Sequence, residues 1–239
     1  MRTIAMIPTI NKLEWTAPLI EHLLLAENLD EVWLYDNGSR DNVRQWVFNR
    51  INLDHRLKYI DASSMRLYDM WNDAIKKASV IDSEVNLAIL NNDIRLPHNS
   101  IETMSRLMRG GGYKIAGVDP CRPAIFTKTI NIYAGENTVP SPIEPYAEKM
   151  NAKNKIGWAF VVAAEWWRDE HWAIHPEFII WYGDDYLYNS VVKRGGRICW
   201  IRGVGCDHAI EQSDSEYPTK WDDAAKDKET FARVMKAML

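Results

Sequence analysis

The sequence predicts an α/β fold with a mostly parallel central sheet that is flanked by helices, and three observations support this. Short apolar runs alternate with segments of helical periodicity from Thr3 to Val118, which indicates βαβ units. The run Val85–Leu90 is apolar almost throughout, as in a strand that is covered on both faces. Polar residues follow several of these runs directly, and ligands bind at that end of the strands in open parallel sheets.

Length and composition are those of a globular protein with one sizeable core. The chain has 239 residues, of which 46% are hydrophobic and 26% charged, and a single α/β domain of this size is common. The net charge of −4 gives no general affinity for polyanions. Three scattered cysteines are too few for a disulfide framework. This cysteine content favours a reducing, cytoplasmic setting. No apolar run approaches the ~18 residues of a membrane span, so we expect no transmembrane segment.

The first part of the chain reads as strands and helices in strict alternation. Thr16 is the predicted cap of the first helix and Asp41 that of the second. Asn99 and Glu102 have the spacing of a capping box for the fourth helix, which three glycines end. The predicted strands lie at residues 3–7, 32–35, 57–60, 85–90 and 114–118.

The pattern changes in residues 120–155, which contain five prolines. Alternating apolar and polar residues between Ala124 and Tyr133 predict a hairpin or edge strand. A long irregular stretch of this kind is often a binding loop. Further elements are predicted as a strand at 156–162, a helix containing Trp166, Trp167 and Trp172, a helix at 187–192, a strand at 198–201 and a C-terminal helix at 221–238.

Three short polar residues, Asn91, Asn92 and Asp93, come directly after the most apolar strand. Their oxygen atoms are hard ligands of the kind that hold Mg²⁺ or Mn²⁺ on a diphosphate. A polar turn in which Asp93 caps the following segment explains the triplet equally well. Asp36 ends the second predicted strand and precedes a Gly-containing turn. It can therefore contact a ligand or simply serve as a turn residue.

Seven short motifs in a fixed order together resemble a GT-A-fold glycosyltransferase of the family-2 type, with rhamnosyltransferase-like members the most similar. The resemblance covers roughly residues 1–210. No motif is specific alone, and the likeness rests on their order along predicted strand and helix ends. The motifs are Pro8-Thr9, Asp36-Asn37-Gly38-Ser39, Trp71-Asn72, Leu90-Asn91-Asn92-Asp93, Gly157-Trp158-Ala159-Phe160, Tyr182-Gly183-Asp184-Asp185 and His208.

The resemblance implies a nucleotide-diphosphate sugar as donor and divides the single domain, 1–239, into three parts. Residues 1–118 would bind the donor, 119–210 would form the acceptor and catalytic half with its small antiparallel sheet, and 211–239 a C-terminal helical segment. Asp36 would accept a hydrogen bond from the nucleobase, which suits an imide N–H. The other donor-binding residues that the resemblance implies are Pro8, Thr9, Asn72, Asn91 and Asn92.

The resemblance also implies a divalent metal. Asp93 matches the final aspartate of the family's metal-binding motif, although Asn91 replaces the first aspartate and lowers the negative charge. His208 matches a histidine that completes the metal or diphosphate site. An imidazole among oxygen ligands favours Mn²⁺ over Mg²⁺.

For catalysis, the resemblance places a general base in the pair Asp184 and Asp185. We assign Asp185 as the base and Asp184 as its partner or as the helix cap. Four residues would border the acceptor or sugar, namely Gly157, Trp158, Trp181 and Tyr182.

The function that the sequence predicts is inverting transfer of a sugar from a nucleotide-diphosphate sugar to an acceptor hydroxyl. Two alternatives stay open: a sugar-phosphate nucleotidyltransferase, and a non-catalytic carbohydrate-binding protein with a degenerate GT-A site. The first usually has a Gly-rich loop after its first strand, and Pro8 to Lys12 contain no glycine. The acceptor can be a glycan, a protein or a modified nucleic acid base, since fold family does not fix it. The oligomeric state is not indicated.

Overall fold

The computed structural model describes residues 1–40, 42–97, 99–119, 145–150, 157–209 and 218–238, and in them the chain forms an eight-stranded sheet flanked by helices. A small second sheet pairs β5 (Ile94–Arg95) antiparallel with β10 (Asp207–His208). The strands of the main sheet are β1 (Arg2–Thr9), β2 (Glu31–Asp36), β3 (Leu57–Asp61), β4 (Val85–Leu90), β6 (Ile115–Asp119), β7 (Tyr146–Lys149), β8 (Ala159–Ala163) and β9 (Ile198–Gly205).

Six α-helices are present in the same described ranges, and one 3₁₀ turn, Ala164–Trp167, follows β8. They place apolar residues against the sheet, and β4 and β8 are buried along their whole length. Among the described residues, no helix has both the length and the apolar character needed to cross a membrane. The helices are α1 (Leu13–Leu24), α2 (Val43–Ile51), α3 (Leu67–Ile81), α4 (Ser100–Gly110), α5 (Gly183–Lys193) and α6 (Lys220–Ala237).

The strand order β3-β2-β1-β4-β8-β6-β9-β7 brings the polar strand ends together. β3, β2, β1 and β4 run parallel, and the register pairs Thr9 with Asp36 at the carboxyl ends. β8 runs antiparallel to β4, so its amino-terminal end lies at that same edge. The backbone N–H of Asn91 accordingly donates to the carbonyl of Trp158 over 2.9 Å. The predicted α/β class with a mostly parallel sheet is confirmed.

Several local predictions were wrong. Thr16 lies inside α1 rather than capping it, and its hydroxyl donates to the carbonyl of Lys12. Asn99 has a left-handed backbone and makes no side-chain cap bond to α4, so the capping box does not form. The Trp-rich helix is only the short 3₁₀ turn, which ends before Trp172. β9 is four residues longer than predicted, because its glycines extend the strand instead of ending it.

Two predictions fall outside the described residues. They are Asp41 as the cap of α2, and the hairpin between Ala124 and Tyr133.

Candidate active site

A cavity of about 610 Å³ opens at the carboxyl ends of β1 and β4. Its walls come from the strand ends, the start of α3, the segment before α5 and the start of α6. Ten of the fourteen site residues predicted from the sequence line it: Pro8, Thr9, Asn91, Asn92, Asp93, Gly157, Trp158, Trp181, Asp184 and His208. The side chains of Asp36, Asn72, Tyr182 and Asp185 are not part of this lining.

The floor of the cavity is a buried hydrogen-bonded triad. The Asn92 amide donates to the hydroxyls of Thr9, at 3.1 Å, and Thr16, at 3.2 Å. These two hydroxyls are 2.9 Å apart and hydrogen-bond to each other. The triad joins the ends of β1 and β4 to the first turn of α1, which fixes the loop that carries Asp93. The sequence analysis missed this role of Thr16, because a threonine at a helix start reads as a cap.

Asp93 and His208 form the centre of the site's polar surface. Asp93 is only 5% exposed, and its Oδ1 lies 3.1 Å from Nε2 of His208. The β5–β10 pairing brings the two residues together, with the N–H of Ala209 donating to the Asp93 carbonyl over 3.0 Å. The His208 ring stacks on Trp158 at 5.0 Å and 14°. The Asn91 amide lies 3.4 Å from the same Nε2.

The Asp93–His208 pair fits a divalent cation. Two neighbouring ligand atoms of an octahedral ion, each about 2.1 Å from it, are about 3 Å apart, and the observed separation is 3.1 Å. In the part of the chain that the structure describes, no cluster of three or more His, Cys, Asp or Glu side chains is placed to hold a metal. The same 3.1 Å is an ordinary hydrogen-bond distance. As a cation site, the pair would supply two ligands, and substrate phosphates and water would complete the coordination.

Asp184, not Asp185, is the carboxylate that faces the cavity. Both lie in the first turn of α5, where successive side chains point about 100° apart. Gly157 makes room for Asp184, because a Cβ on this glycine would lie 2.3 Å from Asp184 Oδ2. Asp185, which the sequence analysis assigned as the base, does not line the cavity.

The start of α5 is set by tight packing against α3. A Cβ on Gly183 would lie 2.4 Å from the Tyr68 ring, and the Tyr68 hydroxyl donates to the carbonyl of Ile180 over 2.7 Å. Burial raises the pKa of Tyr68 well above its ordinary value, so this phenol stays protonated and keeps its donor role. The rotation of α5, and with it the direction of Asp184, follows from this contact.

Asp36 is buried at the end of β2, and both of its carboxylate oxygens have protein donors. Oδ1 accepts the N–H of Ser39 over 2.9 Å, and Oδ2 accepts the Tyr59 hydroxyl over 2.8 Å. Burial and this hydrogen bond raise the pKa of Tyr59 to about 12. The neighbouring Asn37 lines the cavity instead. A nucleobase contact by Asp36 stays a prediction, and it requires an oxygen to accept a second hydrogen bond.

Asn72 and Tyr182, two of the residues absent from the cavity lining, contact other parts of the protein. The Asn72 amide bonds to the backbone of Ala173 and Ile174 through three hydrogen bonds of 2.8–2.9 Å. Its contact with a nucleotide stays a prediction. Tyr182 has a left-handed backbone, φ 63°, and its ring packs on Phe231 of α6 at 5.4 Å. Its contact with the acceptor or sugar stays a prediction.

The sequence analysis also missed Asp227, a fully buried residue of α6. Its carboxylate accepts the successive backbone N–H groups of Ile179, Ile180 and Trp181 at 2.7–3.1 Å. A carboxylate held by three such donors fixes the segment that leads into α5. The contact spans about 46–48 residues of sequence, and no local pattern points to it. α6 also contributes Lys220 and Trp221 to the cavity.

Solved structures with the same fold are glycosyltransferases. S. aureus TarS 1-349 in complex with UDP matches with a TM-score of 0.62 at 13% identity, over 95% of this chain and 65% of that one. GalNAc-T7 with UDP, GalNAc and Mn²⁺ gives 0.62 at 13%, over 94% and 51%. The mannosyltransferase PcManGT from Pyrobaculum calidifontis, in complex with GDP-Man and Mn²⁺, gives 0.62 at 12%, over 97% and 64%.

At these identities the likeness establishes the fold, and this chain spans less than two thirds of the length of each of the three structures. The expected GT-A fold is confirmed.

No curated protein sequence matches the chain. The sequence model described as Glycosyl transferase family 2 matches residues 4–174, which is more than half of the 239 residues. The chain therefore belongs to glycosyl transferase family 2.

Proposed function

We propose that this glycosyltransferase moves a sugar from a nucleotide-diphosphate sugar to an acceptor hydroxyl with inversion at the anomeric carbon. The observation that carries the proposal is the sharing of one cavity by the Asp184 carboxylate and the Asp93–His208 pair. Inverting transfer needs a base for the attacking hydroxyl and positive charge near the departing diphosphate. Asp184 is placed to act as the base, and the Asp93–His208 pair would hold a cation that supplies the positive charge.

The donor is proposed to lie over the carboxyl ends of β1 and β4. Pro8 and Thr9 line this part of the cavity and Asp36 lies beside it, as the resemblance implies for the base and ribose. The fold neighbours were solved with UDP, UDP-GlcNAc and GDP-Man, which supports a nucleotide sugar. The rhamnosyltransferase-like character stays a prediction.

Asp93 and His208 are proposed to hold a divalent cation, and two of the fold neighbours contain Mn²⁺. The imidazole ligand favours Mn²⁺ over Mg²⁺. A bound cation would offset the charge of the leaving diphosphate. The protein's own part is to hold the Asp93 carboxylate through the Asn92 triad and to hold the His208 ring through its stack on Trp158.

Asp184 is proposed as the general base, in place of the predicted Asp185. A base must reach the acceptor hydroxyl, and Asp184 is the member of the pair that lines the cavity. The carboxylate takes the proton as the hydroxyl attacks, while the bond to the diphosphate breaks on the opposite face of the sugar. Asp185 is then part of the first turn of α5, where negative charge stabilises the helix.

The cytoplasmic location and the division at residues 118 and 210 also stay proposals. Cys199 is a buried free thiol, as suits a reducing compartment. The proposed halves share the cavity, since Thr9 lies in the first and Trp158 in the second.

The test of the proposal is a panel of nucleotide sugars. We expect one of them to raise the thermal unfolding midpoint of the wild-type chain, and to do so more strongly with Mn²⁺ present, because ligands that bind only the folded state stabilise it. Hydrolysis of the same donor with Mn²⁺ would separate an enzyme from a carbohydrate-binding protein. A panel in which no nucleotide sugar shifts the midpoint would contradict the proposal.

A second experiment tests the donor contact of Asp36. Asp36→Ala should weaken binding of the free nucleoside diphosphate by about ten- to a hundredfold, which is the range for the loss of one hydrogen bond to a charged group. Tyr59→Phe is the matched control, because it removes the protein donor to Asp36 but leaves the carboxylate. Isothermal titration calorimetry measures both variants. Equal affinity of wild type and Asp36→Ala would remove Asp36 from the donor site.

Gly157→Ala should lower the rate of transfer by about 10²-fold with little change in stability. The new Cβ would displace the Asp184 carboxylate, and a misplacement of about 1 Å costs this much in rate. Gly110→Ala is the matched control, since a Cβ there meets no atom within 4 Å. Single-turnover rates and thermal unfolding report the two effects. A wild-type rate of transfer for Gly157→Ala would show that transfer does not depend on the observed position of the Asp184 carboxylate.

A further inference from the structure

Two tryptophans and a lysine form a cluster in the wall of the cavity. The rings of Trp181 and Trp221 are nearly parallel, with 18° between their planes and 6.2 Å between their centroids. The ammonium nitrogen of Lys220 lies 5.5 Å from the first centroid and 5.2 Å from the second. All three residues line the cavity that holds Asp184 and Asp93. We call Trp181, Trp221 and Lys220 the aromatic platform.

The platform leaves a large aromatic surface open to solvent. Trp221 is 67% exposed and Trp181 38%. Exposed apolar patches bordered by polar groups mark binding sites, and tryptophan combines a flat apolar body with a polar edge. The C–H-rich face of a pyranose ring packs on such a surface. A cation beside it pairs with a carboxylate or a phosphate through charge-assisted hydrogen bonds.

The platform is held in place before any ligand arrives. Trp181 is fixed by its backbone N–H, which donates to Asp227 over 2.7 Å. Asp227 belongs to α6, and the same helix carries Lys220 and Trp221. One helix therefore supplies two members of the platform and locks the third. Such preorganisation lowers the cost of ordering side chains on binding.

The position of the platform assigns it to the acceptor rather than to the donor. Trp181 stands three residues before Asp184 in the segment that leads into α5, and a general base must contact the acceptor hydroxyl. The residues proposed for the donor, such as Pro8 and Thr9, come instead from the end of β1.

We propose that the aromatic platform is an acceptor subsite for a saccharide ring that carries an anionic substituent, either a carboxylate or a phosphate. The inference rests on the proposed function, because it names the acceptor class of that transfer. The rings of Trp181 and Trp221 bind the sugar face, and Lys220 selects the charge.

The test compares three probes that share one ring: methyl glucoside, methyl glucuronide and methyl glucoside 6-phosphate. Each is titrated into the full chain with ¹⁵N-labelled tryptophan, in the presence of Mn²⁺ and of UDP or GDP, whichever stabilises the chain. We expect the indole N–H signals of Trp181 and Trp221 to shift. At least one anionic probe should bind about tenfold or more tightly than the neutral one. The stronger anion identifies which substituent the site prefers.

Variants assign the binding to the platform. Trp221→Ala should abolish binding of all three probes, and Lys220→Gln should remove the preference for the anionic ones. The matched controls are Trp172→Ala, at an exposed tryptophan outside the cavity, and Lys228→Gln, at an exposed lysine of α6. Both controls should bind the probes as the wild type does.

Three results would overturn the inference. They are equal affinity for neutral and anionic probes, unchanged probe binding in Trp221→Ala, and a loss of UDP or GDP affinity in Lys220→Gln that exceeds its effect on the probes. The last result would assign the lysine to the donor diphosphate. Failure of the proposed function is distinct, because it would appear in the wild-type chain as an absence of nucleotide-sugar binding.

Discussion

Asp184→Asn should lose transfer by about 10²- to 10⁴-fold while keeping its affinity for the donor, the range that removal of a general base produces. The amide has the same shape as the carboxylate but cannot take a proton from the acceptor at neutral pH. Its neighbours, including Gly157, need not move. Single-turnover transfer at saturating donor and Mn²⁺ measures the chemical step, and calorimetry measures donor binding.

Asp185→Asn is the matched control for this experiment, since it makes the same chemical change one residue away and outside the cavity lining. It should transfer at close to the wild-type rate and affect mainly the stability of the first turn of α5. If Asp185→Asn lost transfer while Asp184→Asn kept it, the general base would be Asp185, as assigned from the sequence. Normal transfer by both would place the base elsewhere.

Asp93→Asn should lose metal-dependent donor binding. Substitution of a residue that only supports a metal ligand typically lowers metal affinity about 10- to 100-fold. We therefore expect Asp93→Asn, which changes a proposed ligand itself, to lower Mn²⁺ affinity by about 100-fold or more. The substitution is isosteric, which limits its effect on a side chain that is 5% exposed. The measurement is the Mn²⁺ concentration that half-saturates donor binding, with the Asp185→Asn variant as the control for a lost carboxylate.

His208→Ala extends this experiment to the second ligand. It should raise the half-saturating Mn²⁺ concentration and leave activity at saturating Mn²⁺ less affected than Asp93→Asn does. If both variants keep the wild-type metal dependence, the 3.1 Å pair is a structural ion pair rather than a cation site.

Much of the fold could be predicted because it depends on local patterns. The apolar run of β4 and the Asn91–Asp93 triplet after it are adjacent in sequence, and a parallel sheet places such strand ends at one edge. Ten predicted site residues accordingly line one cavity. The cap assignment at Thr16 was wrong because a short polar side chain can bond to the backbone carbonyl four residues earlier, here that of Lys12. Asn99 lies at the predicted helix start but makes no side-chain cap bond.

Contacts between distant segments could not be predicted. Asn72 matches a motif position, but its partners are the backbone of Ala173 and Ile174, about 100 residues away. Asp227 is one of several acidic residues in α6, and nothing local distinguishes it from the solvent-exposed ones. Its burial against the 179–181 segment exists only once α6 has packed.

The sequence by itself determined the fold class, the family and the set of side chains at the strand ends, because the hydrophobic period and the order of the motifs can be read along the chain. Only the tertiary structure decided which carboxylate, Asp184 or Asp185, faces the substrate cavity. The two are chemically identical and about 100° apart on a helix. The rotation of that helix is set by Tyr68 packed on Gly183 and by Asp227 bonded to the segment before it, and both contacts come from distant parts of the chain.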